Sequence, residues 1–359
     1  MKGVVYQGPY QVRVDEVPMP RVDGPRAAVV RVTRSAICGS DLHPYRGEIP
    51  DFAPGTILGH EFAGVVVDAG SEVPFAAGER VYASDLVACG RCPICARGWH
   101  YHCAHASLFG YSTVVGAPVP GGQAEFVRIP FADTVLARTP DDLTDEQALF
   151  AGDVLTTAYA AAADAGIEAG AVTGVVGAGP VGLLAALCAS ALGAAHVVIA
   201  DPDPARRATA EALGIRAVAP TGLAAALDEA APGYGARAVL EAVGTDAALQ
   251  CAMHSAGPRA TIAVVGAHSA TAMPFPSGLA FTRELTLRFT VGDPIRHRDK
   301  AIELMRTGVI DPARLISHRL PLSQARHGYD LFDRREAFKV VLTADADTGP
   351  TGMTVRSGR

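Results

Sequence analysis

The chain has 359 residues, 49% of them apolar and 19% charged, with a formal net charge of −6. That length accommodates two domains with separate cores, and the apolar content rules out a disordered chain. The mild acidity, with no basic run, argues against nucleic acid and anionic membrane surfaces as partners.

Met1-Lys2-Gly3-Val4-Val5-Tyr6 reads as the start of a strand and lacks the apolar core and cleavage site of a signal peptide. Residues 1 to about 150 carry short alternating stretches such as Val29-Val30-Arg31-Val32 and Gly64-Val65-Val66-Val67, which predict a β-rich region of many short strands. From Val172 the texture changes. Strands are expected at Val172–Val176, His196–Ala200, near Ala217, Ala238–Glu241 and Ala260–Val265, with helices at Val181–Leu192, Ala205–Leu213, Leu223–Ala230 and Asp246–Ser255 between them. Strand and helix alternating at this spacing predict a doubly wound parallel sheet. Residues Ala169 to Ala200 contain no Asp, Glu, Lys or Arg, but five Gly and Pro residues between Gly174 and Gly182 break the run, so a membrane span is not expected. A helix at Arg296–Thr307, a strand at Phe338–Leu342 and a loose tail from Ala344 complete the reading.

Of seven cysteines, four crowd into Cys89, Cys92, Cys95 and Cys103, spaced C-x2-C-x2-C-x7-C. Four thiolates make a closed tetrahedral zinc site, which suits a structural role. An iron–sulfur cluster or a redox pair is the alternative, but ferredoxin spacings are missing. His100, His102 and His105 are expected at the surface, because four cysteines fill the shell. Clustered thiols without a secretion signal point to a reducing, cytoplasmic compartment. Cys188 falls on an apolar helical stripe and reads as a core thiol.

Upstream, Cys38-Gly39-Ser40-Asp41-Leu42-His43 and Gly59-His60-Glu61 offer a thiolate and an imidazole, half of a second zinc site. A catalytic site needs a third ligand and an open position. Downstream, Gly177-Ala178-Gly179-Pro180-Val181-Gly182 follows an apolar strand and opens a helix, the context in which G-x-G-x-x-G holds a dinucleotide pyrophosphate. Asp201 ends the next strand, placed to accept from an adenosine ribose and repel a 2′-phosphate, which favours NAD. Arg206 and Arg207 leave NADP open as the alternative.

In this order, and over nearly the whole chain, these motifs resemble the zinc-containing medium-chain dehydrogenase/reductase family. Phe109-Gly110-Tyr111 and Gly121-Gly122-Gln123-Ala124-Glu125-Phe126 are similar to its formaldehyde dehydrogenase-like branch. The resemblance implies a GroES-like β-barrel catalytic domain over 1–154 with the zinc lobe at 89–103, a Rossmann domain over 155–289, and a return to the first domain from 290 to 359. It implies two zinc ions per chain, the catalytic one held by Cys38, His60 and Asp153, with Glu61 approaching the metal and standing as the rival third ligand. Ser40 would bond the substrate oxygen, His43 would end a proton relay through the cofactor ribose, and Asp41 would orient His60. Thr157 and Gly266 match positions near the nicotinamide, and Lys339 a basic residue near the pyrophosphate.

The expected reaction is hydride transfer between a small-molecule alcohol, or its aldehyde or ketone, and NAD, with zinc lowering the pKa of the alcohol. A homodimer or homotetramer is implied. Asp85 matches a substrate-pocket position of the family that is apolar in simple alcohol enzymes, so the resemblance leaves a polyol or amino-alcohol dehydrogenase as the alternative. A non-catalytic zinc or nucleotide-binding protein would need neither the open site nor the relay.

Overall fold

The computed structural model describes residues 1–268 and 272–344, so most of the tail expected from Ala344 lies outside the described residues. Its first half is built around the strand Ala28–Ile37, whose inward positions Val30 and Val32 are buried while Arg31 faces water. This strand pairs antiparallel with Glu61–Ala69, Phe126–Ile129 and Val340–Thr343. Arg80–Ala83, Leu136–Arg138 and His318–Pro321 complete a seven-stranded sheet. Two of its strands therefore come from beyond residue 310, as a chain that leaves the first domain and returns to it requires.

The inserted domain is a six-stranded parallel sheet. We number its strands β1 (Val172–Val176), β2 (His196–Ala200), β3 (Arg216–Val218), β4 (Ala236–Glu241), β5 (Ala256–Val264) and β6 (Thr286–Phe289). Their spatial order is β3-β2-β1-β4-β5-β6, so the sheet winds outward in both directions from β1. Every residue of β1 is buried, as a central parallel strand covered on both faces must be. The helices Leu223–Ala230 and Asp246–Ser255 keep the bounds expected from periodicity. β6 escapes the sequence reading, because this short edge strand is mostly exposed and has no apolar run.

One apolar cluster crosses the domain junction. Leu149, Phe150, Leu155 and Ala158 pack with Leu183, Leu184 and Ile199, so the helix Val154–Asp164 belongs to both cores. This anchors the segment holding Asp153 on two sides. Among the described residues, no helix is long and apolar enough to cross a membrane.

Candidate metal centre and cofactor cleft

Strand register assembles the first site. Ala36 pairs with Glu61, and Val340 pairs with Ile37. Continuing both ladders by one residue brings Cys38, His60, Glu61 and Lys339 together at one end of the sheet. Asp153 arrives from the domain junction, between a 3₁₀ turn at Leu149–Gly152 and the helix that follows.

Donor atoms of Cys38, His60 and Asp153 all lie within 4.8 Å of one another. Asp153 Oδ2 is 3.5 Å from both Cys38 Sγ and His60 Nε2. Ser40 Oγ lies 3.0 Å from the same imidazole nitrogen. On the far side of the ring, His60 Nδ1 is 3.3 Å from Asp41 Oδ1, and neither atom has another partner. Glu61 is outside this donor group: its Oε2 accepts from Lys339 Nζ, while its buried Oε1 has no partner. A thiol, an imidazole and a carboxylate converging in a nearly dry site fit a zinc ion with one position left open.

The electrostatics agree. Burial, then the charges of Glu61 and Asp153, push the Cys38 thiol up, a state that a divalent cation reverses. Burial opposes ionisation of Asp153, but its bond to His60 and the charges of His60 and Lys339 outweigh it and hold the carboxyl below its ordinary range. Burial likewise favours neutral His60, yet Asp41 and Asp153 together raise it well above the usual imidazole value. Burial lifts Glu61 to about 7, partly offset by Lys339. Asp85 is pushed well above the carboxylate range by burial and then by Asp153, and its buried Oδ1 has no partner. Its backbone is pinned, the amide donating to Gly152 O at 2.9 Å.

Cys89, Cys92, Cys95 and Cys103 form the second donor group within the same limit, and all four are free thiols. Backbone amides of Cys89 and His105 donate to Cys103 Sγ, and that of Cys95 donates to Cys92 Sγ. Amides aimed at sulfur favour thiolates. Those of Cys95 and Ile94, with the neighbouring thiols, bring Cys92 down to about 6. His102 and His105 are exposed as expected, but His100 is not. It is buried, with Nδ1 3.0 Å from Asp293 Oδ1 and its amide donating to Asp293 Oδ2, because it fastens the lobe to the first turn of the helix Pro294–Arg306.

The glycine turn stands at the carboxyl end of β1, where the winding of the sheet reverses between β1 and β4, the usual ligand crevice of such sheets. Gly177 has φ +99°, and a Cβ on Gly182 would sit 1.8 Å from Gly177 O, so the turn and the helix pack too closely for any side chain. Gly179 caps the helix Pro180–Ala191, with Pro180 and Val181 in its first turn. Asp201 Oδ2 accepts from Ala178 N at 2.8 Å, and Oδ1 accepts from Asp203 N at 2.9 Å. Arg206 reaches within 4.0 Å of the Asp201 carboxylate and lies over the Phe338 ring, whereas Arg207 donates to the backbone carbonyls of Asp201 and Pro202. Gly266 sits against Gly244, and its amide donates to Glu241 O.

Three placements differ in emphasis from the sequence reading. Lys339, expected at the pyrophosphate, is 1% exposed with its ammonium on Glu61 and 5.7 Å from the Phe150 ring centre. A lysine in an apolar strand needs a buried partner, and the register supplies one. Thr157 donates to Asp153 Oδ1 at 3.1 Å. His43 is half-buried, its Nδ1 2.6 Å from Glu48 Oε2.

Sequence reasoning missed Tyr111, which donates to Ser40 O at 2.9 Å, and the buried Gln123 and Tyr329. Tyr111 and Gln123 fall in motifs quoted above for the family branch, but their roles, like that of Tyr329, are not legible locally, since each acts on groups far away in the chain.

A two-domain fold with a buried thiol–imidazole–carboxylate centre beside a dinucleotide crevice defines a metal-dependent dehydrogenase. Residues 24–141 match the model of the alcohol dehydrogenase GroES-like domain, and 180–307 that of the zinc-binding dehydrogenase domain. A probable zinc-binding alcohol dehydrogenase of Mycobacterium tuberculosis is 38% identical over 331 residues, covering 92% of this chain and 84% of that one. An uncharacterized zinc-type alcohol dehydrogenase-like protein of Bacillus subtilis is 33% identical, covering 95% and 100%. The solved alcohol dehydrogenase of Thermus sp. ATN1 superposes with a TM-score of 0.92 at 37% identity, covering 96% of this chain and 100% of that one. The chain belongs to the zinc-type alcohol dehydrogenases of the medium-chain dehydrogenase/reductase family. It is a zinc-dependent oxidoreductase.

Proposed function

We propose that this protein oxidises an alcohol, or reduces the matching carbonyl compound, with NAD rather than NADP, using one catalytic and one structural zinc per chain. The observation that carries the reading is the convergence of Cys38, His60 and Asp153 within 4.8 Å, with the Ser40 hydroxyl 3.0 Å from His60 Nε2. Zinc held there would supply Lewis acidity, and the nicotinamide would accept the hydride. Ser40 hands on the substrate proton, His43 passes it toward solvent, and Asp41 keeps the His60 ring turned toward the metal. Glu61 lies outside the donor group, which supports Asp153 as the third ligand.

Asp201 supports NAD: both carboxylate oxygens are held by backbone amides at the end of β2, fixing a negative charge where a 2′-phosphate would otherwise sit. Arg206 is drawn to that carboxylate, and Arg207 is occupied with carbonyls. The partnerless Asp85 oxygen supports a substrate with a second hydroxyl or an amine as the alternative to a simple alcohol. The exposed edge strand β6, with Phe289 57% and nearby Phe281 85% exposed, supports a homodimer or homotetramer. The thiol-rich lobe supports a cytoplasmic location.

The test is reduction of NAD and of NADP by zinc-replete protein across primary, secondary, polyol and amino alcohols. Turnover with NAD, lost in Cys38→Ala while one zinc remains bound, is the expected result. No turnover with either cofactor, from protein holding two zincs, would return the non-catalytic reading.

A further inference from the structure

Asp41 holds His60 from behind, and something must hold Asp41. Its Oδ2 accepts from Cys38 N at 2.9 Å and from Gln123 Nε2 at 3.2 Å, leaving Oδ1 for the imidazole. Gln123 is itself fully engaged: Nε2 also donates to Ala36 O at 3.1 Å, and Oε1 accepts from Tyr329 Oη at 2.8 Å. Both Gln123 and Tyr329 are 0% exposed. Tyr329 comes from the helix Ala325–Asp333, in the returning segment, so a residue near the end of the described chain reaches the metal centre through three side chains.

The backbone makes the arrangement rigid. Gly121, Gly122 and Gln123 donate to the carbonyls of Ile57, Gly59 and Leu58, laying the loop along the residues that precede His60. Gly59 has φ +94°, and a Cβ there would fall 2.3 Å from Gln123 Cγ, so the glutamine fills the space that this glycine leaves open.

We propose that Gln123, braced by Tyr329, is a positioning residue that orients Asp41 and through it His60 toward the catalytic metal. This rests on the reading of Cys38, His60 and Asp153 as the zinc ligands. A buried amide with both ends satisfied permits one orientation of Asp41 Oδ2. Without the glutamine donor the carboxylate keeps only the Cys38 amide on Oδ2, and its hold on His60 weakens.

The experiment compares wild type, Gln123→Met, Gln123→Glu and Tyr329→Phe as holoenzymes, with cobalt exchanged into the metal sites. It reads the cobalt spectrum, catalytic-site metal affinity by chelator competition, zinc retained by the cysteine lobe, and kcat and KM. Gln123→Met is expected to weaken catalytic-site metal affinity roughly 10- to 100-fold and to lower kcat more than KM, with the lobe metal unchanged. Gln123→Glu keeps the acceptor for Tyr329 but faces Asp41 with a carboxylate, so it is expected to be at least as damaging. Tyr329→Phe should shift the same readouts several-fold, and it decides the question if the Gln123 variants do not fold. The double variant Gln123→Met/Tyr329→Phe should fall close to Gln123→Met alone, since both break one network. Lower thermal stability with an unchanged cobalt spectrum and unchanged metal affinity would overturn the proposal. A wild type that takes up no cobalt outside the lobe would instead overturn the metal reading beneath it.

Discussion

Lys339 and Glu61 form a buried ion pair across the sheet, one residue 1% and the other 0% exposed, brought together by strands from opposite ends of the chain. Removing one member leaves the other charge buried without compensation, at a cost of roughly 3–5 kcal/mol. Lys339→Met and Glu61→Gln are therefore each expected to lower the urea midpoint sharply. The double variant should recover most of the loss. Two additive losses in equilibrium unfolding would show that the pair does not act as a unit.

The two metal centres should separate by mutation. Cys38→Ala and His60→Ala are expected to bind one zinc, keep the thermal transition within a few degrees and lose turnover. Cys95→Ser is expected to lose the other zinc and to unfold at markedly lower temperature, because metal affinity in a closed thiolate site is folding free energy. Metal analysis beside calorimetry checks both, and equal destabilisation by the two sets would contradict the division of roles.

Gly182→Ala places a methyl 1.8 Å from Gly177 O. Backbone must shift to relieve that contact, at about 1–3 kcal/mol, and the shift displaces the amides that face the pyrophosphate. NADH binding, followed by its fluorescence, should weaken roughly 5- to 150-fold if that cost falls on the cofactor-binding conformation. Unchanged binding would mean that the glycine turn does not carry the cofactor.

Glu146 ties the returning strand to the first one, accepting from Arg319 at 2.8 Å and from Arg34 at 3.3 Å. The Arg319 bond, aided by the charge of Arg319 and by the bond and charge of Arg34, outweighs the opposing effect of burial and holds its carboxyl below the usual glutamate value. A depressed carboxylate contributes stability above its unfolded pKa and loses it as pH falls through the folded value. Glu146→Gln should therefore cost about 1 kcal/mol or less at neutral pH, given the exposure of Arg319, and progressively less in acid. Denaturation curves at several pH values test this, and a cost that grows in acid would reverse the sign.

Local chemistry and spacing were enough to announce the parallel sheet, the glycine turn, Asp201, the four-cysteine lobe and the Cys38–His60 half of the second site, whereas Asp153 came from the family resemblance. The helices at Leu223–Ala230 and Asp246–Ser255 were readable to the residue, because periodic apolar burial is written into neighbouring positions. The return of the chain to its first domain came from the family resemblance, not from any local pattern after residue 290.

What only the tertiary structure decided is which distant groups share a buried space. β6 was invisible because an exposed edge strand needs no apolar pattern, and His100 was misplaced because its partner Asp293 lies 193 residues away. Lys339 on Glu61, Thr157 on Asp153 and Gln123 between Tyr329 and Asp41 follow the same rule. A buried polar side chain must find a partner, but strand register and domain packing choose which one, and neither is a local property of the sequence.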